Sequence, residues 1–513
     1  MRGSGGRSLL LALALAGAAS ADEVRLEDGE IVFGRVTARE KGRVLVSTTA
    51  GDRSFAAGDV AEVIDGTDPR VVVLRPPENV GMSLGGMAEF AWRCRLDGDA
   101  RRLARAALAG DAENPLVHGL LGERREGDRW VPALAAPFGA AGTVGPRWGE
   151  AKRRALTAEG GNAETEAAVR AGLAWLAAHQ DDDGRIDADG FDKHCPAASK
   201  CDGKGGAHHG ERESCPYDGV TTSLALAAWL GSGSTPVSGP FAKHVARALP
   251  FCVSELGASA SGFDALWSLT FSTQAVADAY AVARDPALRE PLARAVAALE
   301  SAQLRDGGWR YFPADVGDVP TTSAVAVALG TAAEAGIPVD AECAKRVLAF
   351  LDARIERDSG RSEYHDGAEG LGYTPTTANA ASALAARAFL GGLSSAPLLD
   401  KQAAAVTEHK PAWKIEFKDV KGPDGKTVHA QVGWLYPYLW HYATLALFQR
   451  GGAGWSAWFG ALKSALLKGQ RKDGHAAGSW DPLGTYSDSG GRAYVTGLCL
   501  LMLEAPYRYP RGR

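Results

Sequence analysis

The residues best suited to chemistry crowd into one glycine-rich loop. His194-Cys195, Cys201, His208-His209 and Cys215 place three of the seven cysteines and three of the eleven histidines within 22 residues. Thiolates and imidazoles together are zinc ligands, but five residues separate the first two cysteines and thirteen the last two, which matches no tight zinc knuckle. In an exported chain a disulfide is the leading explanation. A zinc or other metal site drawn from Cys195, Cys201, His208, His209 and Cys215 comes second, and free thiols third. Cys94, Cys252, Cys343 and Cys499 lie on apolar helix faces and read as core.

Two further sets could act. Asp183, Asp306 and Asp318 sit beside glycine turns, and a pair of carboxylates at suitable separation does acid/base work on a glycosidic bond. An aspartate beside a glycine is also a common cap or turn former. The aromatic residues Trp309, Tyr311, Tyr364, Tyr373, Trp480 and Tyr494 could wall a ligand site, or stack on neighbouring turns.

The elements that must position these groups repeat. Leu299 to Gln303 ends an apolar-periodic helix, Asp306-Gly307-Gly308 makes a turn needing positive φ, Trp309 follows, and Thr321-Thr322 open the next apolar helix. Gln180-Asp181-Asp182-Asp183-Gly184 and Gln470-Arg471-Lys472-Asp473-Gly474 write the same turn without the tryptophan in place. Helix starts are expected at Thr222, Thr273, Thr322, Thr377, Thr444 and Thr496, in steps of 51, 49, 55, 67 and 52 residues. A period near fifty with two helices per unit predicts six stacked helical hairpins over 163–513. The long step holds Trp413, Ile415 and Phe417 in alternation, a Pro423-Asp424-Gly425 turn and a return to Val432, so a β-hairpin is expected within 409–432.

These units resemble the repeats of the terpenoid cyclase and protein prenyltransferase group, the prenyltransferase and squalene oxidase repeats, whose Gln-x-x-x-Gly-x-Trp turns join outer to inner helices of an α/α toroid. The likeness is good at 303–309 and extends to Gly433-Trp434-Leu435-Tyr436-Pro437, Gly478-Ser479-Trp480-Asp481-Pro482 and Glu504-Ala505-Pro506-Tyr507-Arg508. It implies an (α/α)6 ring, with the turns gathered at one mouth. The cyclase acid motif, Asp-x-Asp-Asp, is matched only in part by Asp315-Val316-Gly317-Asp318, and the three zinc ligands of the prenyltransferases do not map onto this chain.

Ahead of the ring, Arg2 and Arg7, the apolar run Leu9 to Ala16 and Ala19-Ser20-Ala21 read as a signal peptide over 1–21. Period-two alternation with Gly turns predicts a small β-barrel at 22–80. A helical pattern through Ala88-Glu89-Phe90-Ala91-Trp92, Leu120-Leu121-Gly122 and Trp130 resembles a tetratricopeptide-like module at 81–132, and an Ala/Gly/Pro-rich linker is expected at 133–162. Formal charge is 56 minus 61, or −5, with no basic stripe, which argues against a nucleic-acid partner.

The expectation is therefore a mainly α, exported, periplasmic or extracellular protein with no transmembrane segment after signal cleavage. Its toroid mouth binds an apolar, glycan or peptide ligand without catalysis, and its N-terminal modules meet a protein partner. No cofactor is expected beyond the zinc alternative. A diverged cyclase- or prenyltransferase-like enzyme, and a carbohydrate-active toroid, are the rival readings.

Overall fold

The structure is a computed structural model. It describes residues 145–510 except 207–216, 284, 312–315, 367–374, 392–396, 409, 415–416, 422–426, 432–434 and 485–486. Before 145 it describes 22–26, 31–40, 43–48, 51–56, 60–64, 103–108, 110, 112–114, 117–118, 121, 123–126 and 129–132. The signal-peptide reading and Cys94 lie outside the described residues.

Among the described residues, twelve helices carry the ring. The outer ones are α2 (Ala163–Ala178), α4 (Ala242–Glu255), α6 (Arg289–Ser301), α8 (Ala341–Asp352), α10 (Pro397–Thr407) and α12 (Gly452–Gly469). The inner ones are α3 (Asp218–Gly231), α5 (Phe263–Ala283), α7 (Val319–Glu334), α9 (Thr377–Phe389), α11 (Pro437–Arg450) and α13 (Ser487–Arg508). Each inner helix packs on the next, and α13 returns to pack on α3, so the inner layer closes. Sequence explains the two layers. Inner helices such as Val319–Glu334 are apolar or small on every face and are buried all round, whereas outer helices such as α8 bury one stripe, Cys343, Ala344, Val347, Phe350 and Leu351.

The Gln turns stitch neighbouring hairpins together. Gln303 Nε2 donates to Gly307 O within its own turn, at 2.9 Å, and to Cys343 O on α8, at 3.1 Å. Gln180 does the same to Gly184 O and to His244 O on α4, and Gln470 to Gly478 O and to Ala168 O on α2. The last pair joins the sixth hairpin to the first. A side-chain amide NH2 carries two N–H donors, so one glutamine can bond a carbonyl of its own turn and a carbonyl of the neighbouring outer helix at once. Gly307 is required by its φ of +90° and because a Cβ there would stand 2.5 Å from Arg346 O.

Several expectations need correction. Thr273, Thr444 and Thr496 do not start helices: α5 begins at Phe263 and α11 at Pro437, where aromatic and apolar residues ahead of the threonines continue the helical pattern, and α13, which spans Ser487–Arg508, is kinked at Gly491, with φ +65°, ahead of Thr496. The linker expected at 133–162 contains α1 (Gly149–Ala158), whose Ala-, Lys- and Arg-rich run is good helix former. Ahead of it, the Arg147 guanidinium donates to Leu230 O, Arg508 O and Asp278, and so binds at the C-terminal ends of the inner helices.

The strands expected near the N-terminus are β1 (Asp22–Leu26), β2 (Ile31–Glu40), β3 (Arg43–Thr48), β4 (Gly51–Ala56) and β5 (Val60–Ile64). They form an antiparallel sheet in the order β4-β3-β2-β1-β5. A β4–β5 pairing that would close a barrel is not among the pairings of the described residues. Of the tetratricopeptide-like stretch, most lies outside the described residues, and β6 (Glu123–Glu126) and β7 (Arg129–Pro132) within it are strands that pair antiparallel, not helices. Within 409–432, β8 (Phe417–Lys421) and β9 (Thr427–Gln431) pair antiparallel. No described helix is long and apolar enough to cross a membrane.

Candidate functional site

The first turns of all six inner helices meet at one end of the ring around a cavity of ≈ 270 Å³. Val220, Trp267, Thr321, Asn379, Tyr438 and Tyr494 supply one wall residue per helix, and Tyr311 and Tyr364 come from the turns. Helix N-termini direct their partial positive charge here. The walls are nonetheless mostly rings: Tyr311 meets Phe263 edge-on at 4.8 Å, and its hydroxyl lies 3.4 Å from that of Tyr364. Burial, reinforced by the charge of Asp318, pushes the Tyr364 phenol well above its ordinary range, and burial does the same at Tyr438 and Tyr494. All three are neutral hydroxyls.

Asp318 is the only carboxylate among the described lining residues, and it is fully buried. It is the N-cap of α7, where its Oδ1 accepts the Thr321 N–H at 2.8 Å. Its Oδ2 has no hydrogen-bond partner among the described residues, and Arg310 Nε stands 3.9 Å away. Burial raises its pKa to about 6, against the opposing pull of Thr321 and Arg310. Trp267 Nε1 on the same wall also lacks a partner among the described residues. Thr321 Oγ1 is a third such atom, so among the described residues the aromatic lining holds an acceptor, a donor and a hydroxyl without hydrogen-bond partners.

Other residues expected at the mouth serve the fold. Trp309 is buried, its Nε1 donating to Leu299 O at 2.8 Å and its backbone N–H donating to Thr322 Oγ1 at 2.9 Å. Trp480 repeats both bonds, to Leu466 O and to Thr496 Oγ1, and Ile186 takes the tryptophan's place in the first hairpin, its N–H donating to Thr222 Oγ1. These two tryptophans are turn keystones and do not line the cavity. Asp306 accepts the N–H groups of Gly308 and Gly317 and pairs with Arg354, while Asp183 is exposed and accepts the Arg185 N–H. Neither faces Asp318 across the funnel, so these three aspartates do not assemble an acid/base pair. Tyr373 lies outside the described residues.

A second constellation sits beside the ring's seam. Cys195 and Cys201 are buried free thiols, not partners in a disulfide, and they meet two histidines that the sequence reading did not single out. His179 Nε2 lies 3.4 Å from Cys195 Sγ and 3.7 Å from Cys201 Sγ, and His475 Nδ1 lies 3.4 Å from Cys201 Sγ. His179 ends α2, its Nδ1–H donating to Trp175 O at 2.7 Å, which leaves the Nε2 lone pair facing the sulfurs. Burial lowers the His179 pKa to about 4 and raises the Cys201 thiol to about 11. His194 turns away from this group, with its Nε2 2.6 Å from Asp181 Oδ1. His208, His209 and Cys215 lie outside the described residues. The signal for the missed pair was local: His179 directly precedes Gln180, and His475 directly follows Gly474, in the same turn of the first and sixth repeats.

No family model matches the chain, and no curated protein matches it significantly. Among solved structures it is similar to an unsaturated glucuronyl hydrolase specific for heparin, with a TM-score of 0.46, 15% identity, and 67% of this chain and 97% of that one covered. It is similar also to the GH76A α-1,6-mannanase of Salegentibacter sp. HEL1_6, with a TM-score of 0.44, 14% identity, and 67% and 98% covered. A third is the type II terpene cyclase MstE from Scytonema, with a TM-score of 0.41, 14% identity, and 67% and 97% covered. The ring itself rests on the helix packing described above.

Proposed function

We propose that this chain is an exported ligand-binding toroid whose central cavity takes a compact amphiphile, such as a short isoprenoid alcohol or amine. The observation that carries this is Asp318, a buried carboxylate that lines an aromatic cavity and has one oxygen, 3.9 Å from Arg310 Nε, without a hydrogen-bond partner among the described residues. Leaving a buried acceptor unmet costs about 1–3 kcal/mol, which a ligand hydroxyl or ammonium donor would recover. Aromatic faces add area and, for an ammonium, cation–π attraction. A volume of ≈ 270 Å³ lies below the about 300–1,000 Å³ of drug-sized sites, which favours a compact molecule over a peptide or long-chain lipid.

Binding is favoured over catalysis by the acid itself. Near pKa 6 it is largely ionised at neutral pH, a good acceptor but a poor donor for protonating an alkene. Glycoside hydrolysis needs a second carboxylate about 5–9.5 Å away, and the described lining residues supply none. Calorimetric titration of the full chain with a short isoprenoid alcohol, the matching amine and a monosaccharide tests the reading. The alcohol or amine is expected to bind, with affinity falling at least tenfold in Asp318→Asn. Saturable turnover of any of them, or equal binding by the variant, would refute it.

A further inference from the structure

We propose that His179, Cys195, Cys201 and His475 hold one zinc(II) ion that pins the first hairpin of the ring to the last. Their four donor atoms all lie within 4.8 Å of one another. A tetrahedral ion with bonds of about 2.3 Å to sulfur and about 2.05 Å to nitrogen sets each sulfur–nitrogen edge at about 3.6 Å. The observed edges of 3.4, 3.7 and 3.4 Å fall on either side of that value, so little movement would complete the shell. Two thiolates and two imidazoles in a tetrahedral arrangement select zinc over the oxygen-seeking magnesium and calcium. Binding balances simply: two S–H protons leave to solvent as two Zn–S bonds form, and both imidazoles coordinate as neutral rings. The filled site has no net charge, which suits its burial.

The surroundings are arranged for this. The Trp175 carbonyl fixes the His179 tautomer, and Trp175 stacks on the ring at 4.2 Å. The Cys201 N–H points at Cys195 Sγ, at 3.4 Å, as backbone amides do towards zinc-bound sulfur. The loop carrying both cysteines is docked on α13 by bonds that involve no ligand atom: Arg492 N–H to Gly203 O at 2.7 Å, Arg492 Nε to Asp202 O at 2.9 Å, and Gly206 N–H to Asp488 O at 2.9 Å. Gly491, with φ +65°, permits that approach, since a Cβ there would stand 2.4 Å from Gly205 N. A groove between α2 and α12 counts His179 and His475 among its lining residues, which gives an ion a way in. Cys201 and His475 are 274 residues apart in sequence, so one ion ties together the two ends of the ring.

The test is metal content of the full chain, purified without a metal-affinity step and equilibrated with zinc alone, with Cys201→Ser, His475→Ala and, as a control in the core, Cys252→Ser. One zinc per chain is expected in the wild type and in Cys252→Ser. Loss of one ligand should weaken zinc by more than the roughly 10–100-fold that removing an outer-shell partner costs. Zinc retained equally by both ligand variants would overturn the assignment, as would a zinc-free chain whose mass shows a Cys195–Cys201 disulfide. Should a ligand variant fail to fold, cobalt(II) on the wild-type chain decides. Intense tetrahedral bands with thiolate charge transfer support the site, and a weak octahedral spectrum overturns it.

Discussion

Replacing Asp318 by asparagine should make the protein more stable, by an amount that depends on pH. Asparagine keeps the cap, because its side-chain oxygen can still accept the Thr321 N–H. What it removes is the charge. Burial lifts the Asp318 pKa from 3.8 to about 6, so the folded state holds this proton more tightly than the unfolded chain does. The sign follows: below pH 3.8 both states are protonated and the acid has no net effect. Between 3.8 and about 6 the unfolded chain ionises first and stability drains away, and above 6 the loss is constant. Two pH units at about 1.4 kcal/mol each put that loss at about 3 kcal/mol, a large share of a typical 5–15 kcal/mol. Urea unfolding of both proteins, followed by tryptophan fluorescence between pH 4 and 8, reads the difference, in which all other carboxylates cancel. The Asp318→Asn variant should gain steadily from pH 4 and level off about 3 kcal/mol ahead by pH 7. A difference that does not vary with pH, or a wild type more stable at pH 7.5, would refute both the burial of this charge and its reading as a site kept at the expense of stability.

Two further substitutions probe the frame. Asp278 receives the guanidiniums of both Arg147 and Arg508 in a buried cluster, and although burial alone would raise it, the two cations hold it below the ordinary carboxylate range. Asp278→Asn should cost about 3–5 kcal/mol in urea unfolding near neutral pH, because two buried cations lose their partner. That deficit should shrink as the pH falls from the unfolded carboxylate's 3.8 through the depressed folded value, where the wild-type chain loses the contribution of this charge. Gly307→Ala forces a side chain into φ +90° against the Arg346 carbonyl, and should lower stability by about 1–3 kcal/mol in thermal unfolding while leaving Asp318 chemistry unchanged.

The ring was legible because its grammar is local. Gln303, Asp306, Gly307 and Thr322 each do a job visible within twenty residues, so the repeat and its two-helix unit could be read from spacing. Part of the cavity was legible too: Asp318, Tyr311, Tyr364 and Tyr494 sit where the turn positions place them. Trp309 and Trp480 misled because an indole beside a turn looks the same in sequence whether its N–H meets a ligand or a backbone carbonyl. Phe263, Trp267 and Tyr438 were missed since their helices begin a turn or more earlier than the threonines suggested. The cysteine–histidine group was half seen. Cys195 and Cys201 drew notice by their type, but their histidine partners lie on the far side of a loop and in the final repeat. Adjacency of repeat one and repeat six exists only once the ring has closed.

That closure changes how the protein can come apart. A linear stack of repeats has two end units, each held by one neighbour, and it frays from them. Here α13 lies against α3, and every inner helix has an inner neighbour on both sides. Lifting out any one hairpin means breaking two interfaces at once and exposing two apolar flanks. Small openings are therefore expensive everywhere, and the least costly large one is at the seam, where the chain itself does not connect the units. The molecule behaves as a hoop with a clasp: the Gln470 amide bonds and the docked loop at 201–206 are the fastenings, and they decide whether the hoop opens before it melts.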